Sequence, residues 1–267
     1  MYSSSSTVPK RVTLIHVLAI QLLLINSELS LNTTNAYLNH KCLVSQGKYK
    51  PGSKYEQRLK FIIKRFYSVS NKGYEGFGDS TLSAIIQCRG DSYGPKCHDC
   101  FATAFAAVIY LKCILQLRRR CPWYKGRIIW YDQCLLSIDA KYSIGQIDYN
   151  NNFCMSNAKK LGGDKFAFII TWNTFMDNLT TLAVDNNTNK LTPFYSAGKT
   201  WFKGDMLYGM VQCTIDLNPK ACWECMVFNS IHFQHCLNDK RGARFMSRSC
   251  TFRFEFYPFL AKHVQNI

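Results

Sequence analysis

Acidic residues are scarce in this chain. Seventeen aspartates and glutamates stand against 33 lysines and arginines, for a formal net charge of +16. A glycosidase needs two facing carboxylates, and no pairing of Asp or Glu stands out. A G-x-S-x-G turn and the paired-histidine helix of metalloproteases are also missing. There is no kinase motif and no lipid-anchor tail. Only the N-terminal region carries a long apolar run, and it is too short for a membrane span of roughly 20 residues. The sequence therefore predicts a non-enzymatic protein with no cofactor, no metal and no membrane span.

The N-terminal run has a different meaning. Lys10 and Arg11 precede "VTLIHVLAIQLLLI", and small and polar residues follow in "NSELSLNTTN". A basic start, an apolar stretch and a cleavage zone predict a secretory signal peptide over residues 1–30. Roughly 235 residues remain, enough for two domains of ordinary size. A basic protein in the extracellular space is expected to meet acidic polysaccharide or anionic membrane rather than nucleic acid. The sequons at Asn32, Asn178 and Asn186 fit that compartment. The last two place "DNLTTLAVDNNTNK" at the surface.

Thirteen cysteines dominate what is present. In an oxidising compartment paired cysteines persist as disulfides. Cys222, Cys225, His232 and His235 do crowd together, but C-x2-C-x6-H-x2-H is tighter than a zinc finger requires. A redox C-x2-C would need a thioredoxin-like context that is not visible. A disulfide framework is the better reading.

That framework is built twice. "CRGDSYGPKCHDC" begins at Cys88, and "CTIDLNPKACWEC" repeats its C-x8-C-x2-C spacing from Cys213. The flanks match as well: "LSAIIQCRGD" aligns with "LYGMVQCTID", Gln87 with Gln212 and Asp91 with Asp216. Loose alternation ahead of each Gln-Cys pair predicts a strand. Amphipathic segments "YEQRLKFIIKRFYSVS" and "DKFAFIITWNTFMDNLTTLA" predict a longer helix in each copy. Shorter helices are predicted after each C-x2-C, in "FATAFAAVIYLKCIL" and "MVFNSIHF". The fold class is α+β: two tandem disulfide-stapled domains, residues 31–140 and 141–267, each an antiparallel sheet packed with two helices.

Copy two holds six cysteines, and copy one holds six plus Cys113, which is expected to stay free. Twenty residues separate Cys100 from Cys121, against ten between Cys225 and Cys236. The insert carries Cys113. Nine or ten added helical residues would turn Cys121 away from its partner, so the insert must bulge, distort the domain or be absent from the true transcript. Six cysteines allow fifteen pairings, and spacing alone does not choose among them.

The doubled motif, the N-terminal segment and the later "CPWYKGRIIWYDQC" resemble the plant cysteine-rich repeat secretory proteins. Their repeat is the ginkbilobin-homologous, or stress-antifungal, domain. The same domain heads cysteine-rich receptor-like kinases and plasmodesmata-located proteins. The resemblance implies the pairs Cys42–Cys121, Cys88–Cys97 and Cys100–Cys134 in copy one. In copy two it implies Cys154–Cys236, Cys213–Cys222 and Cys225–Cys250.

Ginkbilobin binds mannose through an Asn, an Arg and a Glu. The Asn position holds Leu43 in copy one and Met155 in copy two, with Asn157 two residues on. The Arg position holds Ile128, beside Arg127, and Arg244. The Glu position holds Asp139 and Glu255. Only copy two keeps both a forked donor and a carboxylate, which together can hold adjacent hydroxyls. The plainer reading makes Glu255 a polar-face strand residue paired with Arg244 or Arg253. The resemblance thus implies an apoplastic binding protein of defence character, its partners cell-wall or fungal glycans. The alternative is a module that pairs with other extracellular domains and has no retained ligand site.

Overall fold

A computed structural model describes residues 35–68, 73–92, 94–108, 120–185, 193–260 and 265–266. The expected signal segment, Asn32, Cys113 with most of its insert, and Asn186 lie outside the described residues.

Copy one runs β1 (Tyr37–Lys48), α1 (Lys54–Ser68), β2 (Tyr74–Gly78), β3 (Ser83–Cys88), α2 (Pro95–Val108), β4 (Tyr124–Tyr131) and β5 (Cys134–Asp139). Copy two runs β6 (Asn152–Ser156), α3 (Lys165–Val184), β7 (Tyr195–Phe202), β8 (Asp205–Cys213), α4 (Pro219–His232), α5 (Gln234–Leu237), β9 (Gly242–Ser247) and β10 (Cys250–Glu255). A two-residue β11 (Gln265–Asn266) closes it. The sheet orders are β1-β4-β5-β3-β2 and β11-β7-β8-β10-β9-β6. Read from β6, the second sheet repeats the first strand for strand and adds β11. That added strand pairs parallel to β7; every other pairing is antiparallel.

The long helices follow their apolar spacing. In α1, Leu59, Ile62, Ile63 and Phe66 form one buried stripe, at the i, i+3, i+4, i+7 spacing that puts side chains on one face. Asp164 caps α3 by accepting from the Ala167 N–H. The shorter helices differ from expectation. They begin at Pro95 and Pro219, before each C-x2-C rather than after it. Proline suits the first helical turn because its missing N–H has no intrahelical partner there. Asn218 adds a side-chain cap to Ala221 N at 2.8 Å.

This early start explains the motif. Cys97 and Cys100 lie three apart and share one helix face. Cys88 and Cys134 lie opposite each other on β3 and β5. The disulfides Cys88–Cys97 and Cys100–Cys134 therefore staple one helical turn to two adjacent strands. Copy two does the same with Cys213–Cys222 and Cys225–Cys250, and Cys213 faces Cys250 across the ladder. Cys42–Cys121 and Cys154–Cys236 join the first strand of each copy to the approach to its β4 or β9. These six pairs are the ones the resemblance implies.

Each sheet buries one face against its own helices, around Phe66, Phe101 and Ile129 in copy one and Trp172, Phe245 and Phe252 in copy two. The opposite faces meet. Leu43, Ile128, Trp130 and Met246 form a third cluster between the sheets. The layers run helix, sheet, sheet, helix. Asn178 lies exposed on α3, but its sequon continues into buried Leu179 and Thr180, so the helix takes in the start of the stretch expected at the surface.

Candidate functional site

The sequence directs attention to Arg244 and Glu255, and both lie on the seam between the repeats. They sit on neighbouring strands: Arg244 on β9 is opposite Arg253 on β10, and Glu255 is opposite Gly242. Alternation along β10 puts Arg253 and Glu255 on the same face. The two residues do not form a free pair. Arg244 Nη1 donates to Asp132 Oδ1 at 2.6 Å, and Asp132 belongs to the β4–β5 turn of the other repeat. Glu255 Oε1 accepts from Arg253 Nε at 3.2 Å.

Asp132 is the centre of this cluster. Three guanidiniums converge on it, from Arg89 (3.0 Å), Arg244 (2.6 Å) and Arg253 (3.2 Å). Burial alone would raise its carboxyl, yet the Arg89, Arg244 and Arg253 charges hold it below the usual aspartate range. Glu255 is buried, and burial pushes its carboxyl up against the pull of Arg253. Burial also lowers Arg244, helped by the like charge on Arg253. Arg253 continues to the Tyr257 hydroxyl at 2.9 Å and lies over the Phe259 ring.

Gly242 makes the Glu255 position possible. A Cβ there would collide with Glu255 Oε2 and with the Asn157 amide. The Asn157 side chain therefore lies beside the carboxylate, across a glycine. Met155, at the family's Asn position, is opposite Arg244 on β6 and exposed.

Copy one has no matching set. Leu43 and Ile128 are buried in the seam cluster. Arg127 is buried on β4, with its guanidinium over the Tyr49 ring. Asp139 accepts from Gln46 Nε2 at 2.6 Å.

The seam has an approximate two-fold character that the repeat alignment foreshadows. Asp132 and Arg248 each stand two residues before the last cysteine of their copy. Asp132 reaches Arg253 in copy two. Arg248 reaches the equivalent Ser137 in copy one, Nε to Oγ, at 3.2 Å. Arg248 is itself buried and also donates to the Ser143 carbonyl at 3.1 Å and the Gln146 carbonyl at 3.3 Å. Trp130 Nε1 donates to the Ser247 carbonyl at 3.0 Å. The sequence marks Gln87 and Gln212 as equivalent but gives no sign of their role, and nothing in it singles out Asp132.

A zinc site at Cys222 and Cys225 would need free thiolates. Both sulfurs are in disulfides, and the His232 ring stacks on Phe228.

Comparison with known proteins places this architecture. Residues 41–141 and 153–257 match the family described as salt stress response/antifungal, once for each copy. The chain belongs to that family. The protein numbered 17 among the cysteine-rich repeat secretory proteins of Arabidopsis thaliana is 50% identical, over 97% of this chain and 96% of its own. Cysteine-rich repeat secretory protein 18 of the same plant is 45% identical over 97% and 96%. The chain is a secreted cysteine-rich repeat protein. Among solved structures, the tandem DUF26 ectodomains of the Arabidopsis receptor-like proteins PDLP8 and PDLP5 share the fold. Their TM-scores are 0.67 and 0.62, at 17% and 20% identity, over 82% of this chain and 98% and 99% of theirs. No helix among the described residues is long and apolar enough to cross a membrane.

Proposed function

We propose that this family member is a non-enzymatic binding protein of the apoplast whose two repeats work as one rigid unit. Residues 31–140 and 141–267 act as its domains once a signal peptide at 1–30 is removed. The family description, salt stress response/antifungal, supports a setting in defence against fungi. One observation carries the reading: Arg244 is bound to Asp132 across the seam at 2.6 Å. Its guanidinium is engaged in holding the repeats together. Ligands are therefore taken by surfaces that the pair of repeats builds jointly, and other extracellular molecules are the partners.

Mannose binding at Arg244 and Glu255 is the second reading, favoured by the two matching positions of copy two. It leaves Arg244 only the N–H groups that Asp132 does not take, and it lacks the family's Asn. Titrating the full mature chain with mannose separates the two. The expected result is no saturable binding. Saturable binding that disappears in both Arg244→Ala and Glu255→Ala would establish the second reading instead.

A further inference from the structure

A cleft of about 510 Å³ lies away from the Arg244 cluster, between β1 and the segment 141–151 that joins the repeats. That volume is within the range of about 300–1,000 Å³ typical of small-molecule sites. Lys41 and Gln46 line it from β1, Lys141 and Tyr149 from the connector, and Asp139 and Arg248 from its floor. Arg248 belongs to copy two, so the cleft exists only in the tandem arrangement.

The walls are braced from within. Arg248 holds the connector through the Ser143 and Gln146 carbonyls. Gln46 bridges Asp139 and the Ala140 N–H, at 2.6 and 2.8 Å. Asp139 thus anchors the floor and does not reach for a ligand. The other acid, Asp148, accepts from the Asn150 and Asn151 backbone N–H groups and from Asn151 Nδ2 at 2.6 Å, so its oxygens are occupied within its own loop. The cations at the mouth are less enclosed. Lys41 uses one N–H on the Asn150 carbonyl at 2.7 Å and keeps two for other acceptors. Lys141 is exposed. Tyr149 packs edge-on against Phe228 and is 44% exposed, so its ring is fixed and partly open.

We infer that this cleft binds an acidic oligosaccharide, with uronate carboxylates on Lys41 and Lys141, a hydroxyl on Ser45, and a sugar ring against Tyr149. Carboxylates suit the rim ammoniums, hydroxyls suit side chains that both donate and accept, and a net charge of +16 draws anions to the surface. The inference rests on the reading that the repeats build their binding surface jointly.

The test is calorimetric titration of the full mature chain with trigalacturonate, beside the neutral maltotriose. Lys41→Gln with Lys141→Gln is compared with Lys64→Gln with Lys220→Gln, which removes the same charge from distant exposed positions. Saturable trigalacturonate binding is expected, weakened about tenfold by the cleft pair and about twofold or less by the distant pair, since each exposed ion pair is worth up to about 1 kcal/mol. Tyr149→Ala should weaken it further. Equal losses from both pairs would reduce the effect to bulk charge and overturn the site. So would the absence of saturable binding, equal binding of maltotriose, or displacement only by a peptide. Mannose titration, which tests the joint-surface reading, is read separately, so failure of one is not mistaken for failure of the other.

Discussion

Gln87 and Gln212 clasp each other's neighbours across the seam. Gln87 Nε2 donates to the Cys213 carbonyl, and Gln212 Nε2 donates to the Cys88 carbonyl, each at 2.9 Å. Their oxygens are matched as well: Gln87 Oε1 accepts from Ile215 N at 3.0 Å and Gln212 Oε1 from Gly90 N at 3.2 Å. Ile215 and Gly90 each stand two residues past the cysteine of their copy. The repeated Gln-Cys step is therefore an interlock between domains, and the cysteine beside it anchors that interlock to a helix.

Replacing Gln87 by Ala should orphan the buried Cys213 carbonyl and the partly buried Ile215 N–H. Each such group costs about 1–3 kcal/mol when left unsatisfied. Urea unfolding of Gln87→Ala, Gln212→Ala and the double variant should show a large loss in each single variant. The double variant should also split the transition, because the seam then holds fewer polar links. A change below about 0.5 kcal/mol in both single variants would mean that the clasp is not structural.

Asp132→Ala leaves three guanidiniums facing one another without their shared carboxylate. Removing one partner of a buried pair costs about 3–5 kcal/mol, and the partial exposure of Asp132 places this case near the lower end. Arg244→Ala should cost less, since Asp132 keeps Arg89 and Arg253. The order of the two losses, read from denaturation midpoints, is the test. Equal losses would show that the cluster acts as separate pairs.

Two carboxyls in this cluster give opposite pH slopes. Asp132 is lowered from 3.8, so the stability it contributes is present above that value and is lost as pH falls through its native value. Glu255 is raised from 4.5, so its contribution declines as pH rises from there toward its native value. Asp132→Asn should flatten the acid limb of a stability profile below about pH 4. Glu255→Gln should remove the decline above about pH 4.5. Unchanged profiles in both variants would contradict this electrostatic account.

Much of the fold is legible in the sequence because its signals are local. The apolar stripe of α1, the alternation before each Gln-Cys and the doubled cysteine spacing each report on a few neighbouring residues. The helix starts at Pro95 and Pro219 were legible too, in Gly-Pro and Asn-Pro, but the apolar run after the cysteines drew the expected helix too late. The seam was not legible. Arg244 and Glu255 are recognisable as a donor and an acceptor, and Arg253, two residues from Glu255, is one of its expected partners; the partner of Arg244 is Asp132, 112 residues away in the chain. Alternation on β10 allows Glu255 to pair along its own strand, whereas no local pattern marks a turn aspartate as the centre of an interdomain cluster.

Gly242 tests the packing at the carboxylate. It lies on β9 opposite Glu255, and an added Cβ would run into Glu255 Oε2 and the Asn157 amide. The obstacle is the far end of a side chain, so the strand need not break; the carboxylate must move instead. Moving it weakens the Arg253–Glu255 ion pair, and overpacking of this kind costs about 1–3 kcal/mol. Gly242→Ala should therefore destabilise the protein by about that amount. Truncating the obstacle should restore room, so Gly242→Ala combined with Glu255→Ala should be less destabilised than the sum of the two single variants. Additivity within about 0.3 kcal/mol, the usual result for independent sites, would show that the glycine is required by the strand backbone and not by the carboxylate beside it.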